Sequence, residues 1–189
     1  ITKATMIVLG PGLGQSDWAI NLWSMVMSHP RCQQALPLVV DADGLNILAN
    51  MPRIYPHWVI TPHPGEAARL LQTTTQAIQQ DRIAAVQALN QRYGGVSVLK
   101  GAGTLIATPD SPLALCDKGN PGMATAGMGD VLSGVIGGLI AQGIPIADAA
   151  KLGVYLHAYA GDLAAKEGER GLLALDLMAP LRYVINHPL

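Results

Sequence analysis

The chain has 189 residues, 50% of them hydrophobic, and a formal net charge of −1, which is enough for one domain with a substantial core. It has no basic run or arginine-rich face to neutralise a nucleic-acid backbone. Its longest apolar run, Val131 to Ala141, is interrupted by Ser133, Gly134, Gly137 and Gly138 and falls short of the roughly 20 residues that span a bilayer. Cys32 and Cys116 have neither metal-ligand spacing nor the density of a disulfide framework, which points to a reducing, cytoplasmic setting. The chain opens on Ile1 with no basic leader, so residues 1–189 are expected to be a single domain cut from a longer polypeptide.

In chain order, Met6 to Leu9 reads as a short strand, the Gly10-Pro11-Gly12-Leu13-Gly14 turn follows, and Asp17 to Met27 has helical apolar spacing. The pattern recurs at Leu36 to Val40, with the Asp41-Ala42-Asp43-Gly44 turn and a helix through Leu48, and again at Trp58 to Thr61 with a helix from about Gly65. Ile78 to Tyr93 reads as one amphipathic helix with Ile83, Val86, Leu89 and Tyr93 near one face. Val96 to Leu99, Thr104 to Ala107 and Leu113 to Cys116 then follow without helices between them, as antiparallel hairpins at a sheet edge do. Helices are expected at Asp130 to Gln142, Ile146 to about Lys166, and Asp176 to Ile185, with Asp176 as N-cap. Apolar strands alternating with helices predict a three-layer α/β/α domain with a mostly parallel sheet and an antiparallel hairpin edge. In such sheets the loops after the strands, here 10–14, 41–43, 61–66 and 100–104, gather around the ligand.

The densest signal is Gly119 to Asp130, a glycine-rich loop that enters a long apolar helix. Gly127 and Gly129 let consecutive N–H groups converge, and the helix adds its free donors and positive dipole end, a combination suited to phosphate. Asp130 in that first turn is either a proton acceptor beside the anion or a residue that only favours the helix N-terminus. Gly10 to Gly14 is neither a dinucleotide fingerprint nor a P-loop and by itself reads as a tight turn. Asp41 and Asp43 would either hold a cation together, or bond loop amides and cap the next helix. In Thr61-Pro62-His63-Pro64-Gly65-Glu66, His63 is a donor to substrate or an ordinary loop residue. Glu66 orients a magnesium-bound water or favours its helix N-terminus. Lys100-Gly101-Ala102-Gly103-Thr104 offers a cation, a pliant backbone and a hydroxyl, a hairpin suited to a nucleotide. His157 and Asp162 read as structural members of a helix rich in small residues.

Taken together, the segments at 10–14, 41–46, 61–66, 99–104 and 119–130 resemble the ADP/ATP-dependent NAD(P)H-hydrate dehydratases, and the likeness runs through His157 to Asp162. The resemblance implies a ribokinase-like fold and a lyase reaction built on kinase machinery. ADP or ATP, with Mg2+, phosphorylates the ring hydroxyl of hydrated NADH or NADPH, and loss of phosphate restores the double bond. Carried onto this chain, it implies Asp130 as the base and the Gly127 and Gly129 amides as charge stabilisers. Gly12, Gly14, His63 and Asp130 would contact the hydrate. Lys100, Gly101, Ala102, Gly103, Thr104 and Gly129 would hold the nucleotide, and Glu66 a metal through water. Family members carry more strands ahead of the first glycine loop, so part of the substrate pocket is expected to lie outside this chain and a sheet edge to be exposed. An epimerase domain ahead of this one and a homo-oligomer are further expectations from the family. Two rival readings remain: a small-molecule kinase of the same superfamily, and a nucleotide-binding module without catalysis.

Overall fold

Alternation along very short apolar strands decides which side chains enter which layer. In the computed structural model, which describes residues 1–187, strands β1 (Ile7–Leu9), β2 (Leu38–Val40), β3 (Trp58–Ile60) and β4 (Val96–Leu99) run parallel. Strands β5 (Thr104–Thr108) and β6 (Ser111–Cys116) continue the sheet antiparallel, so its order is β1 to β6 without rearrangement. Leu38, Val40, Trp58 and Ile60 point into one core, and Val39, Val59, Val96 and Val98 into the other.

The helices between the parallel strands are α1 (Asp17–Ser28), α2 (Pro30–Gln33), α3 (Asp43–Asn50), α4 (Pro64–Leu71), α5 (Thr75–Gln80) and α6 (Arg82–Tyr93). Right-handed crossovers in a sheet that always advances the same way place its crossover helices on one face. The opposite face is covered by later chain: α7 (Met128–Ala141), α8 (Ile146–Ala164) and α9 (Met178–Asn186). That completes the expected three layers, and every parallel strand delivers its loop to the same end of the sheet. β1 has a single neighbour, and its Val8 is 37% exposed.

Three expectations need correction. The single helix from Ile78 to Tyr93 is two, because Asp81 leaves helical geometry (φ −143°) and its carboxylate accepts the Ala84 N–H at 2.8 Å to start α6. Val86, Leu89 and Tyr93 are buried as expected, whereas Ile83 is exposed; beside it Arg82 reaches inward to backbone carbonyls of the β4–β5 turn. Asp176 does not cap the last helix. It lies in a short 3-10 turn, Ala174–Leu177, and accepts the Leu173 N–H at 2.8 Å.

Glycine is required on α8 where α7 crosses it: a Cβ at Gly153 would lie 2.7 Å from Ile136 Cγ1. On α7, Gly134 is exposed with nothing near its missing side chain. Gly153→Ala is therefore expected to cost about 1–3 kcal/mol through overpacking, and Gly134→Ala to add about 0.5–1 kcal/mol by stiffening the unfolded chain. Urea unfolding of the two variants checks both signs.

Candidate functional site

The loops after β1, β2, β3 and β4 meet as anticipated, and the element that binds them is Asp41. Its side chain is 1% exposed. Oδ1 accepts from the Lys100 ammonium at 2.7 Å, and Oδ2 accepts from Ser133 Oγ on α7 at 3.0 Å. Asp41 therefore neither bonds loop amides nor shares a cation with Asp43. Asp43 instead accepts the Gly14 N–H at 2.8 Å, tying the first glycine loop to α3. Backbone crowding completes this junction, since a Cβ on Gly10 (φ +134°) would fall 1.8 Å from the Asp41 carbonyl oxygen.

His63 is the N-cap of α4 in a reciprocal capping box, and so it is more than an ordinary loop residue. Its Nδ1 accepts the N–H groups of Gly65 at 2.9 Å and Glu66 at 3.3 Å, while Glu66 Oε2 accepts the His63 N–H at 2.8 Å. With Nδ1 as acceptor, the ring proton sits on Nε2, 3.6 Å from Glu66 Oε1. Burial pushes the imidazole below its ordinary value, against the opposing pull of Glu66, and the result is a neutral N–H donor on a half-exposed side chain. Glu66 is itself buried, and its Oε2 lies 3.9 Å from the Lys100 ammonium.

The N-terminus of α7 faces this cluster. Gly127 enters it in the left-handed conformation (φ +85°), and no side chain caps it. Among the described residues the amides of Met128, Gly129 and Asp130 have no acceptor, which leaves three free donors at the positive end of the helix. A Cβ on Gly129 would sit 3.1 Å from Lys100 Nζ and 3.3 Å from Asp41 Oδ2, so glycine lets α7 begin directly over the ion pair without crowding it. Asp130 projects from the same turn, exposed and without a hydrogen-bond or ionic partner among the described residues.

Beside the ammonium lies a cavity of about 510 Å³. Lys100, Gly101, Ala102, Gly103, Thr104 and Gly129 all line it, together with Met123, Met128, Leu132 and Val154. One end is thus cationic and the rest largely apolar, as a base and its phosphates require. Gly12, Gly14, His63, Glu66, Gly127 and Asp130 do not line it. Gly12 is exposed with open space where its side chain would be, while the Gly14 amide is already spent on Asp43.

Four contributors were not among the expected site residues. Ser133 is one. Arg82 is another: its guanidinium donates to the carbonyls of Leu99, Lys100 and Ala102 and holds the hairpin from behind. Asp162, read as structural, accepts from the Gly119 N–H at 3.0 Å and Asn120 Nδ2 at 3.1 Å, holding a wall of the cavity. His157, also read as structural, lines the cavity, and burial drives its imidazole down to about 4.

The family model for NAD(P)H-hydrate dehydratase matches residues 1–182. The chain belongs to the NAD(P)H-hydrate dehydratase family. The bifunctional NAD(P)H-hydrate repair enzyme of Coxiella burnetii is 52% identical over 98% of this chain and 37% of the relative. The ADP-dependent (S)-NAD(P)H-hydrate dehydratase of Neisseria meningitidis is 41% identical over 95% of this chain and 62% of its own length. The Bacillus subtilis ADP/ATP-dependent dehydratase, co-crystallised with ATP/Mg2+, superimposes with a TM-score of 0.84 at 30% identity, covering 96% of this chain and 64% of that one. The chain therefore spans less than two thirds of the length of these relatives, and its fold is ribokinase-like. Among the described residues no helix is long and apolar enough to cross a membrane.

The buried network predicts unequal costs. Lys100→Met strands the Asp41 carboxylate and is expected to destabilise by about 3–5 kcal/mol, whereas Ser133→Ala removes one neutral donor and costs about 1–2 kcal/mol; chemical denaturation measures both. For His157, the unfolded imidazole takes up a proton as pH falls through 6.5, while the folded one stays neutral down to about 4. Stability present above pH 6.5 is therefore lost between 6.5 and 4, on the order of 3 kcal/mol. His63, also depressed, acts in the same sense. A pH series of melting temperatures should fall less steeply for His157→Gln than for the parent.

Proposed function

We propose that this chain carries out the dehydration of hydrated NADH or NADPH, driven by an adenine nucleotide. The observation that carries the proposal is the uncapped start of α7 laid over the Lys100 ammonium at the mouth of the nucleotide-sized cavity. The nucleotide occupies that cavity, its base against Met123, Leu132 and Val154 and its phosphates towards Lys100 and the amides of 128–130. The hydrate approaches from the other side of α7, between the open Gly12 turn and the His63 N–H.

Asp130 accepts the proton of the ring hydroxyl as that oxygen attacks the terminal phosphorus. The bond to the nucleotide's bridging oxygen breaks, leaving AMP from ADP, or ADP from ATP. The α7 amides face the negative charge on the transferred group, where fixed donors are most useful. The phosphate ester then breaks at its carbon–oxygen bond, inorganic phosphate departs, and loss of a proton from the adjacent ring carbon restores the double bond. The two buried, unbonded cysteines support a cytoplasmic setting.

The donor set suits magnesium only in a particular way. Among the described residues no three acidic, His or Cys side chains form a cation cage, and Lys100 already neutralises Asp41. Magnesium would remain on the nucleotide's phosphates, with Glu66 reached through water. There it would supply neutralisation of phosphate charge.

The direct test mixes purified chain with NADH hydrate, magnesium and ADP or ATP, and follows recovery of reduced-nicotinamide absorbance against a no-nucleotide control. Nucleotide-dependent recovery with release of inorganic phosphate supports the dehydratase. A stable phosphorylated product would mark a kinase, and nucleotide binding without turnover a binding module. Asp130→Asn is expected to lower kcat by about 10²–10⁴ with nucleotide affinity unchanged. Gly129→Ala should weaken nucleotide binding, because its methyl displaces the Lys100 ammonium.

A further inference from the structure

A second groove, of about 540 Å³, lies outside the nucleotide cavity and shares no lining residue with it. It begins at Gln15, the residue after the first glycine loop, and runs between α3 and α4, walled by Asn46 and Asn50 on one side and Arg69 and Gln72 on the other. Apart from Ala49, its lining is polar. No carboxylate lies within ion-pair distance of Arg69 among the described residues. Asn46 Oδ1 accepts from Arg69 Nε at 2.8 Å, which orients the guanidinium and leaves the donors of its outer edge unused. The planar fork of a guanidinium matches phosphate oxygens.

The position of this cation relates it to the reaction. Arg69 stands six residues beyond the His63 cap on the same helix, roughly 9 Å along the axis, and its charge is felt at the His63 imidazole. The substrate proposed above is a dinucleotide: its diphosphate follows the nicotinamide ring by one ribose, a separation of the same order. With the ring beside His63 and Gly12, the chain of the substrate leads into the groove at Gln15.

We propose that the α3–α4 groove binds the diphosphate of the hydrated dinucleotide, with Arg69 as its cation, Asn46 as the residue that positions it, and the amides of Gln15, Asn50 and Gln72 facing the adenosine half. This rests on the dehydratase reading. It explains how two nucleotides are kept apart: the phosphoryl donor is held by Lys100 and the α7 amides, the substrate by Arg69 on the far side of the Asp41 junction. Recognition through the diphosphate would serve NADH and NADPH forms alike, since both carry it.

The test compares equilibrium binding of NADH with that of reduced nicotinamide riboside, which has no phosphate, for the parent chain, Arg69→Ala and Asn46→Ala. Arg69→Ala should weaken NADH binding by about ten- to hundredfold, the range for loss of charge-assisted hydrogen bonds. It should change riboside and ADP affinity by less than about twofold. Asn46→Ala should show a smaller effect of the same selectivity, and the parent's NADH affinity should fall with salt more steeply than that of Arg69→Ala. NADH binding unchanged in Arg69→Ala, equal losses for NADH and riboside, or no NADH binding by the parent would each overturn the proposal. Hydrate turnover is scored separately. If it is absent while Arg69→Ala still selectively loses NADH, the dehydratase reading fails and the groove stands as a dinucleotide site.

Discussion

The Lys100–Asp41 pair ties together loops that the parallel sheet brings to one end but does not itself join. It joins the ends of β2 and β4, which are separated in the sheet by β3, and through Ser133 it reaches across to α7 in the opposite layer. A carboxylate this deeply buried cannot be left uncompensated, so the positions of both partners are set by its two oxygens. Glu66 completes the cluster from the β3–α4 loop. One ammonium against two carboxylates leaves a formal charge of −1 beside the place proposed for the nucleotide's phosphates. That deficit explains why the start of α7 carries no cap: its free amides supply the positive potential that the side chains alone do not.

The turn of the sheet from parallel to antiparallel is what brings the Lys100 hairpin to the site. A parallel strand after β4 would need a crossover of a dozen residues or more, and Lys100 would then begin a long excursion. Antiparallel pairing allows a four-residue turn, 100–103, that stays at the ends of the strands. Such a short, glycine-rich turn leaves carbonyls without strand partners. Arg82, at the start of α6, satisfies those of Leu99, Lys100 and Ala102, so a helix on one face of the sheet stiffens a hairpin that opens towards the other.

Most of the scaffold was legible because it depends on local pattern. Apolar runs of three or four residues marked the strands, and the absence of helix-length segments after Leu99 marked the hairpins. The junction itself was not legible, because the partners of Asp41 stand 59 and 92 residues away and no spacing rule links them. Other misses had a local cause. Asp81 is a typical cap, but apolar periodicity ran through it and concealed the break. His63 is an unusual N-cap, so although Glu66 was weighed as a helix N-terminus residue, its capping box with His63 was not foreseen. The ligand-facing glycines were conspicuous, yet the reason for Gly129, a close approach to Lys100 and Asp41, exists only in three dimensions.

The proposed role of Asp130 as base is supported by what the other acidic and imidazole groups of the junction already do. A base must have a lone pair that the fold does not already use. Both oxygens of Asp41 are engaged, Asp43 holds the Gly14 amide, and Glu66 caps α4 while facing Lys100. His63 has given its acceptor nitrogen to two backbone amides, so it can donate but cannot take a proton without dissolving its own cap. His157 is buried behind the nucleotide cavity. Asp117, though exposed, lines the cavity instead of the start of α7. Of the groups around the junction Asp130 remains, an exposed carboxylate beside unpaired amides. Its neighbours are the groups that would carry the phosphoryl charge once the substrate hydroxyl has lost its proton.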